Sequence, residues 1–293
     1  MGSADTARYA VADNPVEHSR SPHIHALFAA QTGQSLVYER LLCPLDAFAQ
    51  TLREFAAQGA LGCNVTVPFK FEAHALATRL THRARLAGAV NALRFDAPSA
   101  GGWLGDNTDG AGLVRDIERN AGVPLAGRRV LLLGAGGACS GVLGAFIAAG
   151  PREIVVANRS RDKAAELVAR HATWAAEHGV RLEPRGLADC GADFELLVNG
   201  TSASLTGAGV PLASGALAPG ALAVDMMYGA PAEPFLAWAR AQGAIARDGL
   251  GMLVEQAAES FELWRGVRPD SAAVLAQLRS EIQRPRPQPG ATP

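Results

Sequence analysis

Two lysines, Lys70 and Lys163, stand among the 27 lysines and arginines of the chain. Arginine is not deprotonated in proteins, whereas a lysine can lose and regain a proton when it is desolvated or suitably neighboured. A cation needed only for its charge could be either residue. The lysine closing NVTVPFK, residues 64–70, therefore points to a proton that must move, with a surface lysine after a proline turn as the plain alternative. Its neighbours favour the first reading. Asn64, Thr66 and Lys70 are polar positions around the end of a β-branched run, and Asn91 follows another such run. GDNTDG at 105–110 sets Asp106, Asn107, Thr108 and Asp109 between glycines, and Ser19 and Ser21 flank Arg20 just before Pro22. Hydroxyls and amides suit a small polyhydroxylated substrate, and a helix start suits a carboxylate. Taken singly each piece is ordinary, since Ser-x-Ser-Pro is a common N-cap and NTDG a common turn.

The elements that must hold these groups follow from local pattern. A strand at 9–12 is broken by Asp13-Asn14-Pro15, and Pro22 opens a helix to 31. Strands are expected at 35–42, 62–67 and 89–94, the second stopped by Pro68, and helices at 45–58 and 81–87. A second block has helices at 110–120 and 162–177, with strands at 130–133, 154–157, 196–198, 221–224 and 244–246. Strands alternating with helices imply an α/β chain with a parallel sheet covered on both faces. Helices at 251–264 and 271–283 close the pattern, and their apolar faces suit either burial in the first block or a dimer. The Pro-rich 284–293 reads as a disordered tail.

VLLLGAGGACSG, residues 130–141, is strand, glycine turn and helix. Gly134 and Gly136 allow a tight turn and close approach of backbone to a pyrophosphate, which the N–H groups of the helix start then bind. The third glycine of the dinucleotide pattern is replaced by Cys139, with Gly137 and Gly141 on either side, so an ordinary strand–helix turn stays open. A binder of NAD places an acid about 20 residues on, at the end of the second strand. Here that strand ends at Asn158, and Arg159, Arg161 and Lys163 follow, with Asp162 partly offsetting them. Cations at this place suit a 2′-phosphate, so NADP is expected over NAD.

The totals exclude several classes. A chain of 293 residues, 48% hydrophobic and 19% charged, has core enough for one large or two ordinary globular domains. A net charge of −1 without basic runs argues against nucleic acid and anionic membrane as partners. The four cysteines form no CxxC, as in a reducing compartment. No signal peptide and no apolar run of about 18 residues is read, so the cytoplasm is the default, although MGSADT fits a myristoylation pattern. His18, His23 and His25 are expected as cap neighbours or surface residues, Trp238, Trp264 and Cys139 as packing, and no metal set is visible.

Several separate stretches, in one order over about residues 8–275, resemble the shikimate dehydrogenase family: NPVEHSRSPHIH, GCNVTVPFK, LAGAVNAL, GDNTDGAGL, LLLGAGGACSGV, VVANRS, DMMY and DGLGMLVEQAAESFELWRG. The resemblance implies reversible, NADP-linked reduction of 3-dehydroshikimate to shikimate, a step of aromatic amino acid biosynthesis; from the last helices' apolar faces the chain is expected as a monomer or homodimer. It implies a substrate domain over 1–109 completed by 251–283, and a Rossmann-type NADP domain over 110–250. It puts Ser19 and Ser21 on the substrate carboxylate. Asn64, Thr66, Asn91, Asp109 and Gln256 go to its hydroxyl or keto oxygens, and Tyr228 to the cleft. Lys70 and Asp109 become the catalytic pair. Gly134, Gly136, Gly137 and Ala138 would line the pyrophosphate. Asn158, Arg159, Ser160 and Lys163 would hold the adenosine phosphate, and Thr201, Met226 and Gly249 would lie along the nicotinamide. The chain departs from the family's usual glycine at Asp13, from an arginine at Lys163 and from another at Ser140, and its NATS reads Asn199-Gly200-Thr201-Ser202. A paralogue acting on quinate or an aminoshikimate-like compound, and a sensor that binds NADP or a shikimate-like ligand without turnover, are the competing readings.

Overall fold

The β-branched and apolar runs build two sheets in the structure, a computed structural model that describes residues 6–201, 212 and 215–283. The expected tail at 284–293 and the myristoylation pattern lie outside the described residues. The first sheet holds β1 (Ala7–Asp13), β2 (Leu36–Leu42), β3 (Ala60–Val65), β4 (Arg79–Leu80), β5 (Ala92–Arg94) and β6 (Leu104–Asp106). Its order is β2-β1-β3-β5-β6-β4. β1 runs parallel to both neighbours, but β5 is antiparallel to β3 and β6, so this sheet is mixed and not parallel throughout. The connection 95–103 is too short for the crossover that parallel pairing of β5 and β6 would need. β3 ends at Val65, two residues earlier than expected. The Thr66 carbonyl instead accepts the Phe69 N–H at 2.9 Å, a turn that delivers Lys70 to the start of α3 (Lys70–Leu76).

The second sheet holds β7 (Arg129–Leu133), β8 (Glu153–Asn158), β9 (Arg181–Gly186), β10 (Phe194–Asn199), β11 (Leu217–Asp225) and β12 (Ile245–Arg247). Every neighbouring pair in the order β12-β11-β10-β7-β8-β9 is parallel. The chain leaves β7 toward β8 and later returns to β10 on the other side, which opens a crevice at the carboxyl ends of β7 and β10. Val130 and Leu132 pack on one face of this sheet, Leu131 and Leu133 on the other, as a doubly covered strand requires. β9 escaped the sequence reading because it is a charged edge strand, where Pro184 is tolerated.

The region expected as one helix at 110–120 is α5 (Asp109–Arg115) followed by a π turn at Asp116–Asn120. There the fully buried Asp116 carboxylate pairs with Arg247 at 2.5 Å and accepts the Asn120 amide at 3.0 Å. α5 lies between α6 (Gly137–Ala148) and α9 (Leu250–Arg265). Glycines make this closeness possible: a Cβ on Gly110 would stand 2.8 Å from the Gly141 carbonyl, and one on Gly112 would stand 2.6 Å from the Gln256 nitrogen. Both last helices appear as expected. Leu250, Val254 and Phe261 of α9, with Val274 and Leu278 of α10 (Ser271–Gln283), bury against Ile24 and Phe28 of α1 (Ser21–Thr32). At about 2 kcal/mol for each large apolar side chain removed from water, this return to the first block is a core and not a loose tail. His25 is a correction: it is fully buried and stacks on Tyr38 at 4.1 Å, because helical spacing from Ile24 and Phe28 turns it inward. Trp264 stacks on Tyr9 at 4.6 Å, and Trp238 packs beside Phe235.

Candidate active site

Lys70 and Asp109, far apart in sequence, each open a short helix, and the first sheet brings them together. Lys70 Nζ donates to Asp109 Oδ2 at 2.5 Å, and the two side chains are 12% and 8% exposed. A pair this enclosed depends on both members, since either charge alone would be buried without compensation. Asn91 fixes the acid: its Nδ2 donates to Asp109 Oδ1 at 2.8 Å, while its Oδ1 accepts the Thr108 N–H at 2.8 Å. Asn107 Oδ1 accepts the Asp109 N–H at 3.2 Å, so GDNTDG is a rigid side-chain-bonded turn.

A row of polar groups leads away from the pair. Asn64 Nδ2 donates to the Asn91 carbonyl at 3.1 Å and to Ser260 Oγ at 2.8 Å, and Asn64 Oδ1 accepts the Tyr38 hydroxyl at 2.8 Å. Ser260 Oγ also stands 3.3 Å from Thr108 Oγ1. Gln256 Oε1 lies 3.4 Å from both Asn91 Nδ2 and Thr108 Oγ1. Ser21 is buried beside Tyr38, and Ser19 Oγ accepts the Ser21 N–H at 3.3 Å. The structure thus connects Lys70, Asp109, Asn91, Asn64 and Gln256, and buries Ser21 beside Tyr38, the partner of Asn64. Thr66 stands half-buried at the end of β3, next to the end of β1. Tyr228 comes from beyond β11; burial raises its phenol above the ordinary value, while nearby Arg20 of the Ser19–Ser21 loop lowers it.

Charges around the pair are uneven. Burial pushes the Asp13 carboxyl up to about 6, against the lowering effects of the Asn14 N–H and of Lys70. Burial would also raise Asp106, but Arg83, the Thr81 hydroxyl and the Asn107 N–H together hold it below the usual carboxylate range. Arg83 bonds Asp106 at 2.6 Å and Glu259 of α9 at 3.0 Å, which ties that helix to the sheet that carries the site.

The cofactor candidates lie along the carboxyl edge of the second sheet. Gly134 has φ +109°, open to glycine, and a Cβ there would meet Cys139 Sγ at 3.0 Å and the Gly200 carbonyl at 3.2 Å. Gly136 has open space around its missing side chain and precedes a helix of 12 residues. The first N–H groups of that helix, at Gly137, Ala138 and Cys139, have no carbonyl one turn earlier to bond and are available as a set to an anion. Asn158 ends β8 and bonds the Ser160 carbonyl at 2.9 Å; Arg159, Ser160, Arg161 and Lys163 are exposed. The three cations form no ion pair among the described residues, and no acid stands at the strand end. Thr201 bonds Asn199 at 2.7 Å. Met226 approaches both Gly200 and Gly249, where a Cβ would clash with the Met226 carbonyl at 2.2 Å. This cradle fits a dinucleotide with an added phosphate.

The two groups meet across α6. A Cβ on Gly141 would stand 3.1 Å from Asp109 Oδ2, and one on Gly137 would touch the Phe71 ring at 3.7 Å. Asn158, by contrast, ends β8 beside β7, and Arg161 and Lys163 lie in the first turn of the helix that follows. Sequence reasoning did not single out Tyr38, Phe71 or Ser260 as site residues, and it met Gly141 only as part of the glycine pattern. One signal was available: Gln256 and Ser260 are four residues apart on a helix, which places both on one face.

Three family descriptions match the chain: the shikimate dehydrogenase substrate binding domain at residues 11–93, shikimate / quinate 5-dehydrogenase at 117–205, and the shikimate 5′-dehydrogenase C-terminal domain at 249–279. A shikimate dehydrogenase (NADP(+)) of Methylibium petroleiphilum is 62% identical over 282 residues, covering 94% of this chain and 95% of that one. One from Acidovorax sp. (strain JS42) is 58% identical over 274 residues, covering 94% and 96%. Among solved structures, the chain is similar to shikimate 5-dehydrogenase from Thermus thermophilus in complex with NADP(H) and shikimate. The TM-score is 0.78 and the identity 32%, with 94% of this chain and 99% of that one covered. It is also similar to an Ael1 enzyme from Pseudomonas putida, with a TM-score of 0.84, 47% identity, and 93% and 98% covered. With the three descriptions matched in order and relatives this similar along nearly the whole chain, the protein belongs to the shikimate dehydrogenase family.

Proposed function

We propose that this protein catalyses the reversible, NADP-dependent reduction of 3-dehydroshikimate to shikimate, with Lys70 as general acid and base and Asp109 as its partner. The observation that carries the reading is the enclosed Lys70–Asp109 pair set against the glycine-turn helix, with amides and hydroxyls converging on it. NADP, when bound, would supply or take up the hydride. Lys70 gives its proton to the oxygen of the reduced ketone and recovers it in the reverse direction. Its positive charge also stabilises negative charge growing on that oxygen. Asp109 aims the ammonium through Oδ2 and is itself held by Asn91 through Oδ1. Asn64, Thr66, Asn91 and Gln256 position the ring hydroxyls, and Ser19 and Ser21 hold the carboxylate near the Tyr228 phenol.

Gly134, Gly136, Gly137 and Ala138 take the pyrophosphate, and Asn158, Arg159, Ser160 and Lys163 the adenosine phosphate, while Thr201, Met226 and Gly249 flank the nicotinamide. On this reading 1–109 with 251–283 is the substrate domain and 110–250 the NADP domain. The cytoplasm is its place; no helix among the described residues is long and apolar enough to cross a membrane. The test is initial rates of NADP+ reduction with shikimate and with quinate, each repeated with NAD+. Fast turnover with shikimate and NADP+ supports the proposal. Faster turnover of quinate would make the protein a quinate enzyme, and tight NADP+ binding without any turnover would make it a sensor.

A further inference from the structure

Asp13 closes β1 at the edge of the sheet from which the turn to Lys70 departs. In the β1–β3 register Val11 pairs with Asn64 and Ala12 with Val65, and the Thr66 N–H donates to the Ala12 carbonyl at 3.3 Å. Asp13 and Thr66 therefore leave the sheet side by side. The segment is pinned: Cys43 N–H donates to the Asp13 carbonyl at 3.1 Å and Asn14 Nδ2 to the Cys43 carbonyl at 2.9 Å. Oδ1 of Asp13 accepts the Asn14 N–H at 2.7 Å, and Oδ2 has no hydrogen-bond partner among the described residues. The ionisable groups facing this half-buried carboxyl are Lys70 at the start of α3, Glu17 in the loop after β1, and the Cys43 thiol after β2. Beyond Lys70 stands Asp109, at 2.5 Å from the ammonium.

We propose that Asp13 is a specificity-determining residue of this site: its carboxylate stands near Lys70 as a second anion besides Asp109 and weighs against a substrate that carries a carboxylate. The inference rests on the functional reading above, in which one ammonium faces an anionic ring acid. Asp109 already neutralises Lys70, so an ionised Asp13 leaves an excess of negative charge around Lys70, apart from Arg20 of the Ser19–Ser21 loop near Tyr228. Because burial raises the Asp13 carboxyl to about 6, that excess is present at slightly alkaline pH and absent in mild acid. Capture of an anionic substrate should therefore weaken as pH rises through this range.

Two measurements test it. The chain has only Lys70 and Lys163, so side-chain-labelled lysine gives two NMR signals, told apart by Lys163→Arg. The Lys70 signal should show an inflection near pH 6, set by Asp13, that vanishes in Asp13→Asn. In parallel, KM for shikimate should be about fivefold lower in Asp13→Asn than in the parent at about pH 8, the size expected for a like charge several ångströms away at a half-exposed site. At about pH 5 the two should agree, since both side chains are then uncharged. A Lys70 signal without the inflection, or a KM difference that persists unchanged in acid, overturns the proposal. A parent that never turns over shikimate yet keeps the inflection overturns the functional reading, while the charge of Asp13 near Lys70 stands.

Discussion

Replacing Lys70 separates its two roles, charge and proton. Lys70→Met removes both. It leaves the Asp109 carboxylate, 8% exposed, with Asn91 as its remaining side-chain partner. Breaking a buried pair from one side costs about 3–5 kcal/mol, and the small residual exposure of both members sets the expectation near 3 kcal/mol. Lys70→Arg keeps a cation for Asp109, so the fold should lose little, but arginine cannot release a proton. Loss of general acid–base catalysis is worth about 10²–10⁴ in rate, or roughly 3–5 kcal/mol of barrier. The assay is initial NADP+ reduction by shikimate, paired with urea unfolding of the same samples. The expected pattern is an arginine variant that is folded and nearly inactive, and a methionine variant that is inactive and less stable. An arginine variant within a few-fold of the parent rate would refute the proton-transfer role. A methionine variant as stable as the parent would show that no enclosed ion pair exists in solution.

Three further outcomes are expected. Arg159→Ala should raise KM for NADP+ by about tenfold or more and leave the weaker NAD+ reaction unchanged, since a charge-assisted bond to phosphate is worth about 1.5–3 kcal/mol; equal effects on both cofactors would remove Arg159 from the phosphate site. Gly141→Ala puts a methyl group 3.1 Å from Asp109 Oδ2 and Asn107 Oδ1, so kcat should fall about tenfold through misplacement of the acid, with NADP+ affinity changed less, and an unchanged kcat would mean that the acid has room to shift. Asp13 binds its proton more tightly in the folded protein, from the ordinary 3.8 to about 6, so its contribution to stability is present below the lower value and is lost as pH rises through the upper one. Asp13→Asn should therefore be more stable than the parent above about pH 6 and converge with it below about pH 4, as read by urea midpoints across pH, and a constant difference would contradict the burial of this carboxyl.

What the sequence could determine alone was local. The apolar run 130–133 and the glycine turn after it are read from neighbouring residues, because strand pattern and φ-permissive glycine act over a few positions. Lys70 stood out by composition alone, as a titratable cation in an arginine-rich chain. The last helices and the absence of an acid after β8 were legible for the same reason. Tertiary structure decided whatever depends on residues far apart in the chain. The antiparallel return of β5 and β6 depends on how short a connection can cross a sheet, and the burial of His25 on which face of α1 meets the returning helices. Asn64 and Ser260 are 196 positions apart, and no local pattern announces that they share a hydrogen bond. The same holds for Gly141 against Asp109 and for Asp13 near Lys70, whose ionisation is set by burial. Residue types and short spacings carry the chemistry a site can do, but the distances and solvent exclusion that set its charges exist only once the sheets and the closing helices have packed.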